Sequence, residues 1–259
     1  MKKFTLIAGP CAIEDKETPV LIARKVKSIC DELNINYIFK ASYRKANRSR
    51  LDSFKGIGDE IALNIIRNIG STLNIDTITD IHESYEAEIV KKFVTHIQIP
   101  AFLCRQTNLL LAAGKTGLGV NIKKGQFLSH EAMKFALDKV KSTGNKNVWL
   151  CERGNSFGYN NLIVDATAIY KLKKHGSPVI MDCTHSVQQP NQTSGVTGGD
   201  TSLIETIALN AAVSGADGLF IETHPNPAAA KSDPFTMLRL DKLENILKKV
   251  MKIRDAIQL

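Results

Sequence analysis

Gly218-Leu-Phe-Ile-Glu-Thr-His224 is a short apolar run that ends abruptly in residues able to do chemistry. The pattern recurs along the chain. Phe4–Ile7 leads to Ala-Gly-Pro-Cys11, Tyr37–Phe39 to Lys40-Ala-Ser-Tyr-Arg-Lys45, and Asp76–Thr79 to Asp80-Ile-His82. His96–Ile99 encloses Gln98, Gly119–Ile122 leads to Lys123-Lys124, Asn147–Leu150 to Cys151-Glu152-Arg153, and Pro178–Met181 to Asp182-Cys-Thr-His185. A continuous apolar run of this length suits a parallel strand buried on both faces. Polar residues at the downstream end of every run predict that all the ends share one face, where a parallel α/β protein carries its active site.

Segments of helical period separate the runs: Thr18–Leu33, Asp59–Ile69, Ser84–Phe93, Asn108–Thr116, His130–Ser142, Asn161–His175, Leu203–Ser214 and Leu240–Ile257. Strand alternating with helix implies a parallel sheet with right-handed crossovers. No G-x-G-x-x-G follows the first strand, which disfavours an open dinucleotide-binding sheet. The 259-residue length matches the ~250 residues of a (β/α)₈ TIM barrel. The expected architecture is therefore a single α/β domain, residues 1–259, closed as a (β/α)₈ barrel. Two loops are longer than ordinary βα connections, at about 41–58 and 186–202, and such loops are usually lids or binding loops.

The net charge of +8 raises nucleic acid as a partner. Many of the basic residues lie in helix-like stretches, Lys134–Lys146 and Lys242–Lys252, where a solvated face suffices, and aromatics at 6% are not interleaved with them. A basic nucleic-acid-binding protein is thus the non-enzyme alternative, and no nucleic-acid partner is expected. No stretch approaches the ~18 apolar residues of a membrane span. Met-Lys-Lys before a short, broken apolar run, with Pro10 preceding Cys11, makes a poor signal peptide. The five cysteines are an odd number without a C-x-x-C pair, which fits a reduced compartment. The expected location is cytoplasmic.

On a closed barrel, strands one, seven and eight are neighbours. Their ends would bring together Cys11, His185 and Glu222, with Asp233 on the loop after strand eight, a donor set suited to Zn²⁺, Fe²⁺ or Mn²⁺. Each has a plainer reading: Cys11 as a buried small residue, His185 as a loop hydrogen-bonder, Asp233 as a turn cap. Glu222 is harder to dismiss, because an unpaired carboxylate at a buried strand end is costly. Lys40, Lys45, Arg48, Lys123 and Arg153, at or past the ends of strands two, five and six, would converge on phosphate and carboxylate groups. Lys40 and Lys123 abut apolar strands and need anionic partners. Asp80 and His82 could orient a cation or a hydroxyl. Cys104 and Cys151 read as structural, and His96 and His175 as surface or helix-end residues. Residue chemistry alone points to an enzyme acting on phosphorylated, anionic small molecules.

At these same positions the chain resembles the 3-deoxy-D-manno-octulosonate 8-phosphate synthases, from about Phe4 to about Ile253. The resemblance is carried by Ile7-Ala-Gly-Pro-Cys-Ala-Ile-Glu14, Lys45-Ala-Asn-Arg-Ser49, Thr79-Asp-Ile-His-Glu83, Gln98-Ile-Pro-Ala-Phe-Leu-Cys-Arg-Gln-Thr107, Asn121-Ile-Lys-Lys-Gly-Gln-Phe127, Asp182-Cys-Thr-His-Ser-Val-Gln188 and Glu222-Thr-His-Pro225. It implies condensation of phosphoenolpyruvate with D-arabinose 5-phosphate and water in lipopolysaccharide synthesis, by a cytoplasmic homotetramer. It implies that Lys40, Lys45, Lys123 and Arg153 hold phosphoenolpyruvate with Gln98 and the Ala101 backbone nearby. Asn47, Arg48 and Ser49 would bind arabinose 5-phosphate, the latter two reaching a neighbouring subunit's substrate, with Phe102 and Arg105 near a subunit boundary. His185, Asp80, Lys45 and Asn47 become the candidate catalytic residues. Cys rather than Asn at position 11, with His185, Glu222 and Asp233, matches the metal-dependent members. The related 3-deoxy-arabino-heptulosonate 7-phosphate synthases are the alternative enzyme. Three residues depart from the pattern: Arg44 where Asp is common, Arg50 where Ser is common, and Asp200 where a basic residue often follows Gly-Gly. Arg44 is expected to add positive charge beside Lys45, tightening phosphate binding or altering the sugar preference.

Overall fold

A computed structural model describes residues 3–257 except 49, 191 and 193–196. Eight parallel strands form the barrel: β1 (Thr5–Gly9), β2 (Asn36–Lys40), β3 (Asp76–Asp80), β4 (His96–Ile99), β5 (Gly119–Lys123), β6 (Val148–Glu152), β7 (Val179–Asp182) and β8 (Gly218–His224). Each pairs with the next, and β8 closes on β1 with Gly218 opposite Thr5 and Glu222 opposite Gly9. Helices α1 (Thr18–Glu32), α2 (Asp59–Leu73), α3 (Glu86–Val90), α4 (Thr107–Lys115), α5 (Met133–Lys141), α6 (Ala168–Lys173), α7 (Ile204–Val213) and α8 (Leu240–Ile257) follow them in turn.

Two cores result from the two-residue side-chain period of a strand. Leu6, Ala8, Tyr37, Phe39, Ile97 and Leu219 belong to the large core that includes the helices, while Ile7, Ile38, Ile78, Cys151, Ile180 and Phe220 fill the barrel interior with Trp149 beside them. Moving two residues downstream keeps the same face. Lys40, Asp80, Arg153, Asp182 and Glu222 therefore stand one layer above Ile38, Ile78, Cys151, Ile180 and Phe220. The apolar floor and the polar site are successive layers of the same strands. Gly9 belongs to this upper layer too, and a side chain there would run into the Lys40 carbonyl oxygen, 2.0 Å from an added Cβ.

The alternation expected from the sequence is present, with local differences. The helix expected over Asn161–His175 is shortened to α6, because Asn161–Ile163 instead pairs antiparallel with Asn155–Phe157. Gly158, at φ +70°, makes the reversal between them. The helix expected over Ser84–Phe93 contracts to α3. In the 186–202 loop, Gln188–Gln189 pairs antiparallel with Gly198–Gly199, so the segment carries its own small ribbon. Asp200 does not approach the site; its side chain accepts from the Ser202 backbone N–H at 3.0 Å. His96 is not at the surface: it is buried against Trp149, ring centroids 5.0 Å apart. His175 follows α6, its Nε2 2.9 Å from the His130 carbonyl. All five cysteines are buried and free.

Candidate active site

The downstream ends of the strands open into one cavity lined by Lys40, Lys45, Asn47, Arg48, Asp80, His82, Gln98, Ala101, Lys123, Arg153, His185, Glu222 and Asp233, among others. Every proposed site residue except Cys11 and Ser49 faces it. Cys11 is buried against Asp233, which does line it, and Ser49 lies outside the described residues.

On one side is a cationic sector held by carboxylates. Lys40 is 1% exposed, and its Nζ lies 3.2 Å from Asp80 Oδ2 and 3.8 Å from Glu222 Oε1. Lys123 Nζ lies 2.8 Å from Asp182 Oδ2 and 3.9 Å from the centre of the Phe220 ring. Both buried ammonium groups thus have the anionic partners that their positions demand. Asp80 also accepts hydrogen bonds from Ser42 Oγ and Gln98 Nε2, fixing the Gln98 amide. Asn121 Nδ2 donates to Gln98 Oε1 at 3.2 Å. Burial opposes ionisation of Asp80, but Lys40, Lys45 and Lys123 outweigh it and hold the carboxyl far below the usual range. Burial likewise opposes ionisation of Asp182, where His185, Lys123 and Arg153 win. For Lys45 burial would lower the pKa, yet Cys11, Glu222, Asp233 and Asp80 raise it. Arg153 donates through Nη2 to the His185 carbonyl at 2.7 Å and to Gln188 Oε1 at 2.6 Å.

On the other side, the ligand atoms of Cys11, Glu222 and Asp233 all lie within 4.8 Å of one another. Cys11 Sγ is 2.8 Å from Ser232 Oγ and 3.1 Å from Asp233 Oδ2. Asp233 adopts φ +47°, a left-handed conformation that Asp tolerates better than most residues. Both Glu222 carboxylate oxygens are buried without a hydrogen-bond partner. His185 is outside the tight three-residue cluster but adjoins it, with Nε2 3.7 Å from Glu222 Oε1. Its Nδ1 faces Asp182 Oδ2 at 2.9 Å. The Lys123 ammonium lies 3.1 Å from the same nitrogen, and Nε2 is directed at Glu222. A thiol, an imidazole nitrogen and two carboxylates meet here, and the Glu222 oxygens lack a hydrogen bond, with the Lys40 ammonium at 3.8 Å as their cationic neighbour; the donor set fits a divalent transition ion.

Sequence reasoning missed Asp182, Ser42 and Ser232 as parts of the site. Asp182 carried the same signal as Glu222, a carboxylate directly after an apolar run. Ser42 and Ser232 carried none, because a hydroxyl in a loop is unremarkable until its partners are known. Arg48 turns into its own chain's cavity, its Nη1 3.6 Å from Asp233 Oδ1. Arg44 does not line the cavity; its guanidinium meets Glu86 and lies 3.2 Å from Asp59 Oδ2, so its charge is taken up away from that cavity.

The sequence pattern of the DAHP synthetase I family matches residues 1–259. The chain is 48% identical to a 2-dehydro-3-deoxyphosphooctonate aldolase of Fusobacterium nucleatum, over 99% of this chain and 92% of the relative. It is 44% identical to the enzyme of the same name from a Cyanothece species, over 98% and 93%. The corresponding protein of Bartonella henselae is 45% identical over 96% and 89%.

Proposed function

The chain belongs to the DAHP synthetase I family, and we infer that it condenses phosphoenolpyruvate with D-arabinose 5-phosphate and water, giving 3-deoxy-D-manno-octulosonate 8-phosphate and inorganic phosphate. The name shared by its relatives supports this reading. The observation that carries it is the meeting, in one cavity, of a carboxylate-held cation cluster and the Cys11–Glu222–Asp233 donor set.

In this proposal Lys45, Lys123 and Arg153 hold the phosphoenolpyruvate carboxylate and phosphate, with Lys40, Gln98 and the Ala101 backbone beside them. Binding the anionic substrate beside these cations aligns its C3 with the aldehyde of the sugar, a proximity contribution. Asn47, Arg48 and Ser49 hold the acceptor. Bond formation between C3 and the aldehyde carbon leaves oxocarbenium character at C2 and an alkoxide on the former aldehyde oxygen. Water adds at C2 and loses a proton, the alkoxide gains one, and the C2–O bond then breaks to release phosphate. His185, oriented by Asp182 through Nδ1, presents Nε2 toward Glu222 as a donor for the metal sector. Asp80 stays ionised and orders Lys40, Ser42 and Gln98.

A divalent ion, Zn²⁺, Fe²⁺ or Mn²⁺, would be held by Cys11, His185, Glu222 and Asp233. When bound it would supply a Lewis acid beside the reacting carbons. Assembly as a homotetramer in the cytoplasm belongs to the same proposal, with Phe102, 44% exposed, and the exposed Arg105 at a subunit boundary. Among the described residues no helix is long and apolar enough to cross a membrane.

The test is phosphate release from phosphoenolpyruvate with arabinose 5-phosphate or erythrose 4-phosphate as acceptor. Turnover with arabinose 5-phosphate supports the reading, and turnover with erythrose 4-phosphate alone transfers the protein to heptulosonate synthesis.

A further inference from the structure

An ion pair between a partly exposed arginine and a buried glutamate joins the segments that follow β2 and β3, and the chemistry described above does not use it. Glu86, in the first turn of α3, is 1% exposed, a costly place for a carboxylate. Its Oε2 accepts the His82 backbone N–H at 2.7 Å, and its other oxygen meets the Arg44 guanidinium. Arg44 also lies 3.2 Å from Asp59 Oδ2 in the first turn of α2 and 5.5 Å from the centre of the Tyr43 ring. Three elements, the loop after β2, the first turn of α2 and the first turn of α3, are thus tied at one guanidinium.

Both ends of this tie border the cavity. Lys45, Asn47 and Arg48 follow Arg44 in the chain and line it, with the Lys45 N–H bonded to the Lys55 carbonyl at 2.8 Å to close the loop. His82 lines it too and stacks on Phe102, ring centroids 6.4 Å apart. Neither Arg44 nor Glu86 lines the cavity. Removing Arg44 would leave the Glu86 carboxylate buried and unpaired. Relief requires Glu86 to swing outward or to take up a proton, and either change loosens its hold on His82 and the start of the loop.

We propose that Arg44 and Glu86 are positioning residues for the acceptor half of the site, a clamp that fixes His82 and the Lys45–Arg48 segment and so sets affinity for the sugar phosphate without touching it. This rests on the assignment of the acceptor to the Asn47–Arg48 side of the cavity. It also gives Arg44 a different purpose from an added phosphate ligand.

Steady-state kinetics of Arg44→Ala, Glu86→Gln and the double variant, with both substrates varied, test the clamp. Glu86→Gln keeps the side-chain shape, and circular dichroism with thermal melts verifies that each variant is folded. Each single variant is expected to raise KM for arabinose 5-phosphate roughly tenfold and to leave KM for phosphoenolpyruvate within about twofold. The double variant is expected to be no worse than either single, as for residues acting as one unit. An acceptor KM raised by Arg44→Ala but not by Glu86→Gln would mean that Arg44 contacts the sugar phosphate, and would overturn the clamp. So would effects that multiply in the double variant, equal losses for both substrates, or no change in either. Wild-type enzyme inactive with arabinose 5-phosphate would overturn the functional reading and the clamp together.

Discussion

The Arg48 guanidinium is paired with Asp233, Nη1 to Oδ1 at 3.6 Å, so the proposed acceptor loop and the proposed metal sector share a contact. Arg48 also donates to Ser232, whose hydroxyl is 2.8 Å from Cys11 Sγ. An acceptor phosphate arriving at Arg48 must compete with Asp233 for the guanidinium. A hydrogen bond to a charged group contributes about 1.5–3 kcal/mol. Arg48→Ala is therefore expected to lower kcat/KM for arabinose 5-phosphate by roughly 10- to 100-fold while KM for phosphoenolpyruvate changes little. Initial-rate kinetics with each substrate varied give both numbers.

Lys123 joins stability to the proposed substrate site. Its partner Asp182 is fully buried, and breaking a buried ion pair by removing one member costs roughly 3–5 kcal/mol. His185 and Arg153 still stabilise the Asp182 charge, so Lys123→Met should fall near the lower end of that range. Urea unfolding measures the loss, and a variant as stable as wild type would contradict the pairing.

Asp80 and Asp182 set the acid limit of the fold. Both carboxyls lie below their unfolded values, because nearby cations outweigh the cost of burial. The folded state then binds fewer protons than the unfolded state at acidic pH. The resulting stability is fully present above the unfolded pKa of about 4 and is lost as pH falls from there toward the folded values. Unfolding free energy from urea titrations should decline below about pH 4, after an earlier decline that begins near the unfolded imidazole pKa of about 6.5, because burial lowers the pKa of His82 and His96. Stability that rises on acidification would contradict these assignments.

Metal binding should depend on Cys11 and Glu222 together. Burial, and next the Glu222 charge, push the Cys11 thiol well above its usual pKa, so ion uptake has to displace a proton. Apparent Zn²⁺ affinity of the wild-type protein, measured by chelator competition, is expected to rise between pH 6 and 8. Cys11→Ala and Glu222→Gln should each weaken it by about tenfold or more. Affinities unchanged in both variants would remove the metal from the account.

The barrel was legible because each buried strand is a continuous apolar run, and the site was legible because a reactive residue ends almost every run. Closure of β8 on β1 then brought Cys11 beside Glu222 and Asp233, residues that no local spacing motif connects. The hairpin at Asn155–Ile163 was hidden because Leu162, seven residues before Ile169, continues the helical spacing of Ile169 and Leu172. His96 looked like a surface residue because burial of an imidazole depends on Trp149, which lies on the neighbouring but one strand. The fate of Arg44 was not legible either. Its partner Glu86 lies on another βα unit, and a charge read alone in sequence does not reveal what neutralises it.

The most direct measurement follows phosphoenolpyruvate, inorganic phosphate and sugar phosphate together by ³¹P NMR in a reaction containing the purified protein and arabinose 5-phosphate. The account predicts that phosphoenolpyruvate disappears in step with equal gains of inorganic phosphate and of a new sugar phosphate, and only when the five-carbon acceptor is present. Phosphoenolpyruvate consumed without an acceptor, or left intact alongside arabinose 5-phosphate, would contradict it.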